Sequence, residues 1–178
     1  MTVPESFPPE PSPVIHETHP DTAEHYIRYV YPEQLRQYYS ALTTRWTPEQ
    51  YLERGRSPWG AAFASGDPLE NVGFLLEDLD GDGSRELVIG AIRGAQEEPL
   101  IFELWTAPGE EPELLLCAGE GERYFLLEGE PCTLVRALDE EAQLRHRVLL
   151  RGQLTEDADV EPASYRVPKY YPFFLYAP

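Results

Sequence analysis

The chain has 178 residues and a formal charge of −18, with 13 Arg and the single Lys169 set against 32 acidic residues. Proteins that neutralise nucleic-acid phosphates or anionic lipid need a basic face, so this balance argues against non-specific binding to either. With 42% hydrophobic and 12% aromatic residues, the length suits one domain with a real core rather than a disordered chain.

Residues 1–24 carry Pro4, Pro8, Pro9, Pro11, Pro13 and Pro20 among small and acidic residues. Such a composition stays extended because it offers little to bury, and it reads as a tether ahead of a single domain over residues 25–178. The segment has neither the basic start nor the apolar run of a secretion signal, and no stretch approaches the ~20 apolar residues of a membrane span. His16, Glu17, His19, Asp21 and His25 have a spacing that a transition metal can use. Nothing in a proline-rich segment fixes their geometry, however, and chance spacing is the simpler reading.

From Pro32 the pattern takes helical period. Leu35, Tyr38, Tyr39 and Leu42 fall on one face, and Pro32 suits a first turn. A second helix is predicted at Thr47-Pro48-Glu49-Gln50, where Thr as N-cap and Gln three residues on form a capping box, with Gly55 as its stop. A third is predicted from Ser57-Pro58 to Gly66, with Trp59, Ala62 and Phe63 facing inward.

After Asp67-Pro68 the period becomes extended. Strands are predicted at Val72–Glu77, Glu86–Ile92, Leu100–Trp105, Glu113–Cys117, Arg123–Leu127, Thr133–Leu138 and Leu144–Leu150, the last with a helical alternative continuing from Asp139. Short turns rich in Gly, Pro and acids separate them, which favours hairpins and an antiparallel meander. The expected fold is therefore α+β, with two or three short N-terminal helices packed on that sheet. The aromatic tail from Tyr165 to Pro178 is expected to pack back on the domain, since so much free aromatic surface would aggregate.

One segment carries chemistry. Residues 78–86 read Asp78-Leu79-Asp80-Gly81-Asp82-Gly83-Ser84-Arg85-Glu86. Carboxylates at loop positions 1, 3 and 5 converge because glycines at 4 and 6 let the backbone curl. Acids this close repel one another unless a cation sits between them, and hard oxygen ligands favour calcium. The expected ligands are the side chains of Asp78, Asp80 and Asp82, the carbonyl of Ser84, and Glu86 directly or through water. Position 12 is Ile89 rather than the bidentate glutamate of an EF-hand, and the flanks read as strands. Without those two oxygens, affinity is expected on the order of 10⁻⁴–10⁻³ M, a site that fills in extracellular rather than cytosolic calcium.

The loop resembles the DxDGDGxxEL loops between paired strands of FG-GAP repeats, although it occurs here once. More widely, the order Gln37-Tyr38-Tyr39, Trp46, Tyr51-Leu52, Pro68-Leu69-Glu70-Asn71-Val72-Gly73-Phe74, the acidic loop, Glu86-Leu87-Val88-Ile89-Gly90 and Gly119-Glu120-Gly121-Glu122-Arg123-Tyr124-Phe125 is similar to a group of uncharacterised secreted proteins and lipoproteins of Gram-positive bacteria. The resemblance covers roughly residues 33–127. It implies an extracytoplasmic, secreted or lipid-anchored calcium-loop domain.

Other classes find less support. There is no nucleophile elbow, no phosphate loop and no Cys or Ser near a plausible histidine base. A hydrolase needs only two carboxylates, but acids are so abundant that pairs such as Glu77 with Asp78, or Glu120 with Glu122, read as surface charge. Recognition of carbohydrate or peptide would use aromatics. Tyr38, Tyr39, Trp59 and Phe63 are expected in the core, leaving Trp105, Tyr124, Tyr170 and Tyr171 as candidates. Residues 97–161 hold 17 acids and five Arg, which suits either a partner with a basic surface or simple solubility. His146, between Arg145 and Arg147, reads as part of a solvated face. Cys117 and Cys132 lack CxxC spacing; they pair, or Cys117 is a small buried hydrophobe. The sequence thus points to a monomeric, non-enzymatic calcium module at the cell surface, facing a protein or glycan.

Overall fold

A computed structural model describes residues 22–92, 99–129, 132–137, 144–156 and 164–178. The helical layer comes first. α1 (Ala23–His25) begins inside the stretch read as tether and runs into a π-helical turn at Tyr26–Val30, closed by the Tyr31 N–H donating to the Tyr26 carbonyl at 2.7 Å. Neither was predicted, because a single turn is too short to show a period. The His25 ring meets Glu110 Oε1 at 2.9 Å, so this histidine has a partner 85 residues away in the chain; His16, Glu17, His19 and Asp21 lie outside the described residues.

α2 (Pro32–Thr43) buries Leu35, Tyr38, Ala41 and Leu42, the face its period predicts. α3 (Pro48–Glu53) starts on the predicted capping box: Gln50 N–H donates to Thr47 Oγ1 at 3.3 Å, and Thr47 N–H to Gln50 Oε1 at 2.9 Å. α4 (Trp59–Ala62) stops short of Gly66. Its exit is held instead by the Asn71 amide, which donates to the carbonyls of Phe63 and Ser65, so side-chain bonds replace a further helical turn. α5 (Pro68–Asn71) then forms where extended chain was expected, with the Asp67 carboxylate accepting from Leu69 N–H.

The strands are β1 (Val72–Glu77), β2 (Glu86–Ala91), β3 (Ile101–Thr106), β4 (Glu113–Cys117), β5 (Arg123–Leu126), β6 (Thr133–Ala137), β7 (Leu144–Leu150), β8 (Gln153–Glu156) and β9 (Tyr171–Pro172). β7 pairs with β6 over Leu144–Val148 and with β8 over Arg147–Leu150, which rules out the helical alternative; β8 and β9 were not predicted. All pairings are antiparallel, in the order β8-β7-β6-β5-β3-β2-β1-β9. The plain meander is broken at β3. One edge of that strand takes β4 along Glu103–Thr106 and β5 at Ile101, so the sheet branches.

Both faces of the central strands are covered. Leu87, Ile89 and Phe102 pack with Phe74, Tyr38 and Leu35 under the helices. On the other face, Val88, Leu104, Leu126, Leu134 and Leu149 form a second core within the curl of the sheet. β2 is accordingly buried along its whole length, which explains its continuous apolar run. The tail returns as expected, burying Phe173 and Tyr176. It rests on the cross-strand pair Gly73 and Gly90, where a Cβ on either glycine would collide with the Tyr170–Tyr171 segment. Cys117 and Cys132 are free thiols. Among the described residues no helix is long and apolar enough to cross a membrane.

A buried ion pair joins the two layers. Between β2 and β3 the register shifts, leaving Phe102 as the extra residue, and Glu103 reaches the helical layer beside it. Arg56 and Glu103 are 3% and 0% exposed. The Arg56 Nε–H donates to Glu103 Oε1 at 2.9 Å, Trp105 Nε1–H to the same oxygen at 2.9 Å, and Ser57 N–H to Oε2 at 3.0 Å. The guanidinium also donates to Gln37 Oε1 and lies over the rings of Tyr38 and Trp105. Removing one member leaves the other charge buried, so Glu103→Ala should lower unfolding free energy by about 3–5 kcal/mol in urea denaturation. A loss below about 1 kcal/mol would show that the pair does not hold the layers together.

Candidate metal centre

The loop 78–85 joins β1 to β2 beyond their last register pair, Glu77 opposite Glu86. Gly81 and Gly83 have φ of 72° and 91°, left-handed conformations that let the chain reverse around its own side chains. Backbone N–H groups then turn inward onto the carboxylates. Asp82 N–H donates to Asp78 Oδ1 at 3.2 Å, Gly83 N–H to Asp78 Oδ2 at 2.9 Å, and Ser84 N–H to Asp82 Oδ1 at 2.8 Å. Leu79 N–H donates to Glu86 Oε2 at 2.8 Å and ties the start of the loop to its end.

The outcome is convergence. Asp78, Asp80, Asp82 and Glu86 each offer a carboxylate oxygen, and these four oxygens lie within 4.8 Å of one another, a set able to hold a metal ion. Backbone hydrogen bonds do not use up the donor set, because each carboxylate oxygen has two lone-pair sites. Glu86 differs from the aspartates in depth. It is 0% exposed, on the same face of β2 as Val88, and its Oε1 is a buried oxygen without a hydrogen-bond partner. An unpartnered buried carboxylate oxygen beside three more carboxylates is the arrangement a cation resolves. Burial foremost, then Asp80, Asp82 and Asp78, raises the Glu86 carboxyl from 4.5 to about 8 against the opposing Leu79 N–H. Of the five residues predicted as ligands, four bring side-chain oxygens together; Ser84 lies on the same loop and was expected to contribute its carbonyl.

Two supports escaped the sequence reading. The buried Tyr31 hydroxyl donates to the Arg85 carbonyl at 2.8 Å, pinning the loop exit to the helical layer. Gly152 N–H, in the β7–β8 turn, donates to Asp80 Oδ2 at 2.7 Å from 72 residues away. The turn at Arg151-Gly152 was not predicted, as β8 was not, and no local signal says where it docks.

The competing candidates are largely occupied. Trp105 is bonded to Glu103, Tyr124 is buried, and Tyr170 sits on the glycine patch; of the four spare aromatics only Tyr171, 55% exposed, presents a broad free surface. Glu77 pairs with Arg166 at 2.6 Å, and Glu122 accepts from the Tyr124 hydroxyl. The side chain of His146 lies outside the described residues. No family model, curated protein or solved structure matches this chain, and the site is therefore read from its own geometry.

A carboxyl whose folded-state pKa is raised contributes stability below its unfolded value and loses it as pH rises through the folded one. For Glu86 that window runs from 4.5 to about 8. Without metal, the melting temperature should climb as pH falls across it, and Glu86→Gln should flatten the climb. Parallel pH profiles for the two proteins would assign the dependence to other groups.

Proposed function

We propose that this chain is an extracytoplasmic calcium-binding module, non-enzymatic, in which the ion closes the β1–β2 hairpin. The observation that carries this reading is the buried Glu86, whose Oε1 has no hydrogen-bond partner and whose carboxylate belongs to a cluster of four. All candidate donors are hard oxygens, which favour calcium over softer metals, and the irregular loop suits an ion that tolerates varied geometry. Asp78, Asp80, Asp82 and Glu86 supply side-chain oxygens and Ser84 its carbonyl.

The ion's work is structural. Neutralising the cluster holds the hairpin end shut and keeps Val72–Glu77 in register against Glu86–Ala91. The absence of an acidic residue at loop position 12, which is Ile89, points to weak affinity and so to a compartment rich in calcium. The resemblance to secreted proteins and lipoproteins of Gram-positive bacteria supports the same compartment, as does a proline-rich stretch suited to a tether. A surface role facing a protein or glycan is the function class that fits.

A cation that binds only the folded state stabilises it by linkage. With a Kd of ~10⁻⁴–10⁻³ M, 10 mM CaCl₂ should add about 1.4–2.7 kcal/mol. That corresponds to a rise of ~3–10 °C in melting temperature by calorimetry. Asp78→Ala and Glu86→Gln should each abolish most of the rise. Superimposable melting curves in calcium and EDTA would refute a structural metal.

A further inference from the structure

The acidic loop is not a self-contained site. The bond from Gly152 N–H to Asp80 Oδ2, at 2.7 Å, comes from the turn between β7 and β8. In the strand order that hairpin lies at the opposite end of the sheet from β1 and β2, separated from them by β3, β5 and β6. The contact therefore closes the sheet on itself. The turn is shaped for it: Arg151 and Gly152 both have positive φ, 47° and 71°, as a two-residue hairpin turn of the primed type requires. It is also seated tightly, since a Cβ on Gly152 would stand 3.1 Å from Oγ1 of the buried Thr106 at the end of β3. Just before the turn, Leu149 is fully buried in the second core with Val88 and Leu104.

We infer that the β7–β8 turn is a working part of the cation site, with Gly152 positioning Asp80, so that cation occupancy and docking of the β7–β8 hairpin stabilise each other. The inference rests on the cation reading above, which stands on the unpartnered buried oxygen of Glu86 rather than on the acidic cluster alone. The thermodynamics are reciprocal. With the hairpin docked, Asp80 is held at both oxygens, by Asp82 N–H on Oδ1 at 3.3 Å and by the shorter bond from Gly152 N–H on Oδ2 at 2.7 Å; with it released, only the longer bond within the loop remains, and an ion must supply the rest of the ordering on binding. An ion that favours the docked state must shift the chain toward it by its difference in affinity. Gly152 is thus a positioning residue acting through Asp80.

The test is hydrogen exchange on the full chain with and without 5 mM CaCl₂, paired with calcium titration calorimetry of two variants. Calcium should slow exchange of the Gly152 amide and of residues 148–155 at least tenfold. Gly152→Ala, which strains the turn and pushes it off Thr106, should bind calcium at least fivefold more weakly than the wild type. Gly129→Ala is the matched control: Gly129 has φ of 106°, and an added Cβ there meets nothing within 4 Å, so it brings backbone strain without touching the loop and should keep wild-type affinity. If the wild type binds calcium while exchange across 148–155 stays unchanged, or if both variants bind equally, the turn is a bystander and the inference is overturned with the cation reading intact. Absence of calcium binding by the wild type overturns both. Should Gly152→Ala fail to fold, the wild-type exchange experiment decides alone.

Discussion

Like-charge repulsion at the end of one hairpin is the constraint around which this structure is arranged. Glu77 and Glu86 are direct cross-strand partners, so their side chains leave the same face of the sheet, and three aspartates follow within the connecting loop. Glu77 meets Arg166. Glu86 goes inward, where the Leu79 N–H engages one oxygen and the other has no hydrogen bond. Crowding carboxylates at the closing end of an antiparallel pair strains its register unless the charge is offset there, by proton uptake at Glu86, by donors or by a cation. The backbone N–H groups of Asp82, Gly83 and Ser84 offset part of it by pointing at the carboxylates, and a divalent ion at their focus would offset the rest.

Among the described residues, two fully buried glutamates make the contrast. Glu103 is surrounded by donors the protein itself provides, from Arg56, Trp105 and Ser57, each at ordinary hydrogen-bond distance. It binds the helical layer to the sheet and leaves nothing for a ligand. Glu86 occupies an equally buried place on the neighbouring strand, yet one oxygen is left without a donor. Burial of an ionised carboxylate is costly unless it is paired, so the same physical demand is met from within at one site and left open at the other. The difference separates a structural pair from a candidate binding site more sharply than acidity does. In a chain of charge −18, acidity alone distinguishes nothing.

What the sequence disclosed follows from the range of each interaction. The capping box at Thr47 and Gln50, the helical face of Leu35, Tyr38 and Leu42, and the glycine-hinged acidic loop are all settled within a few residues, and they were legible. α5 and the π-helical turn at Tyr26–Val30 were not, because each is too short to repeat. The branch at β3 was hidden for another reason: two successive strands, β4 and β5, share one edge, and nothing in their own residues says which half each takes. Glu103 passed unnoticed among many acids, although a lone charge inside Ile101-Phe102-Glu103-Leu104-Trp105, an otherwise apolar run, is itself a signal that a buried partner exists. Gly152 carried no signal toward Asp80, since their proximity depends on how the three intervening strands of the sheet, β3, β5 and β6, curl.

That curl also explains how a weak contact can matter. Bringing residues 80 and 152 together in an open chain would cost about 4 kcal/mol in loop closure, more than the ~1.5–3 kcal/mol that a hydrogen bond to a charged group returns. The folded chain does not face that cost at the closing step. Each antiparallel neighbour from β5 to β8 is reached through a short connection and secured by its own ladder, and Leu126, Leu134 and Leu149 fill the concave side as the strands are added. By the time the β7–β8 turn arrives beside the acidic loop, the entropy has already been offset by pairing and burial. A bond of modest strength, or an ion of modest affinity, then acts on a small remaining free energy rather than on the whole cost of closure. The seam between Asp80 and Gly152 is accordingly where a cation held by the acidic cluster would have the most leverage over the second core, because the helical core on the other face of β2 is held independently by Arg56 and Glu103.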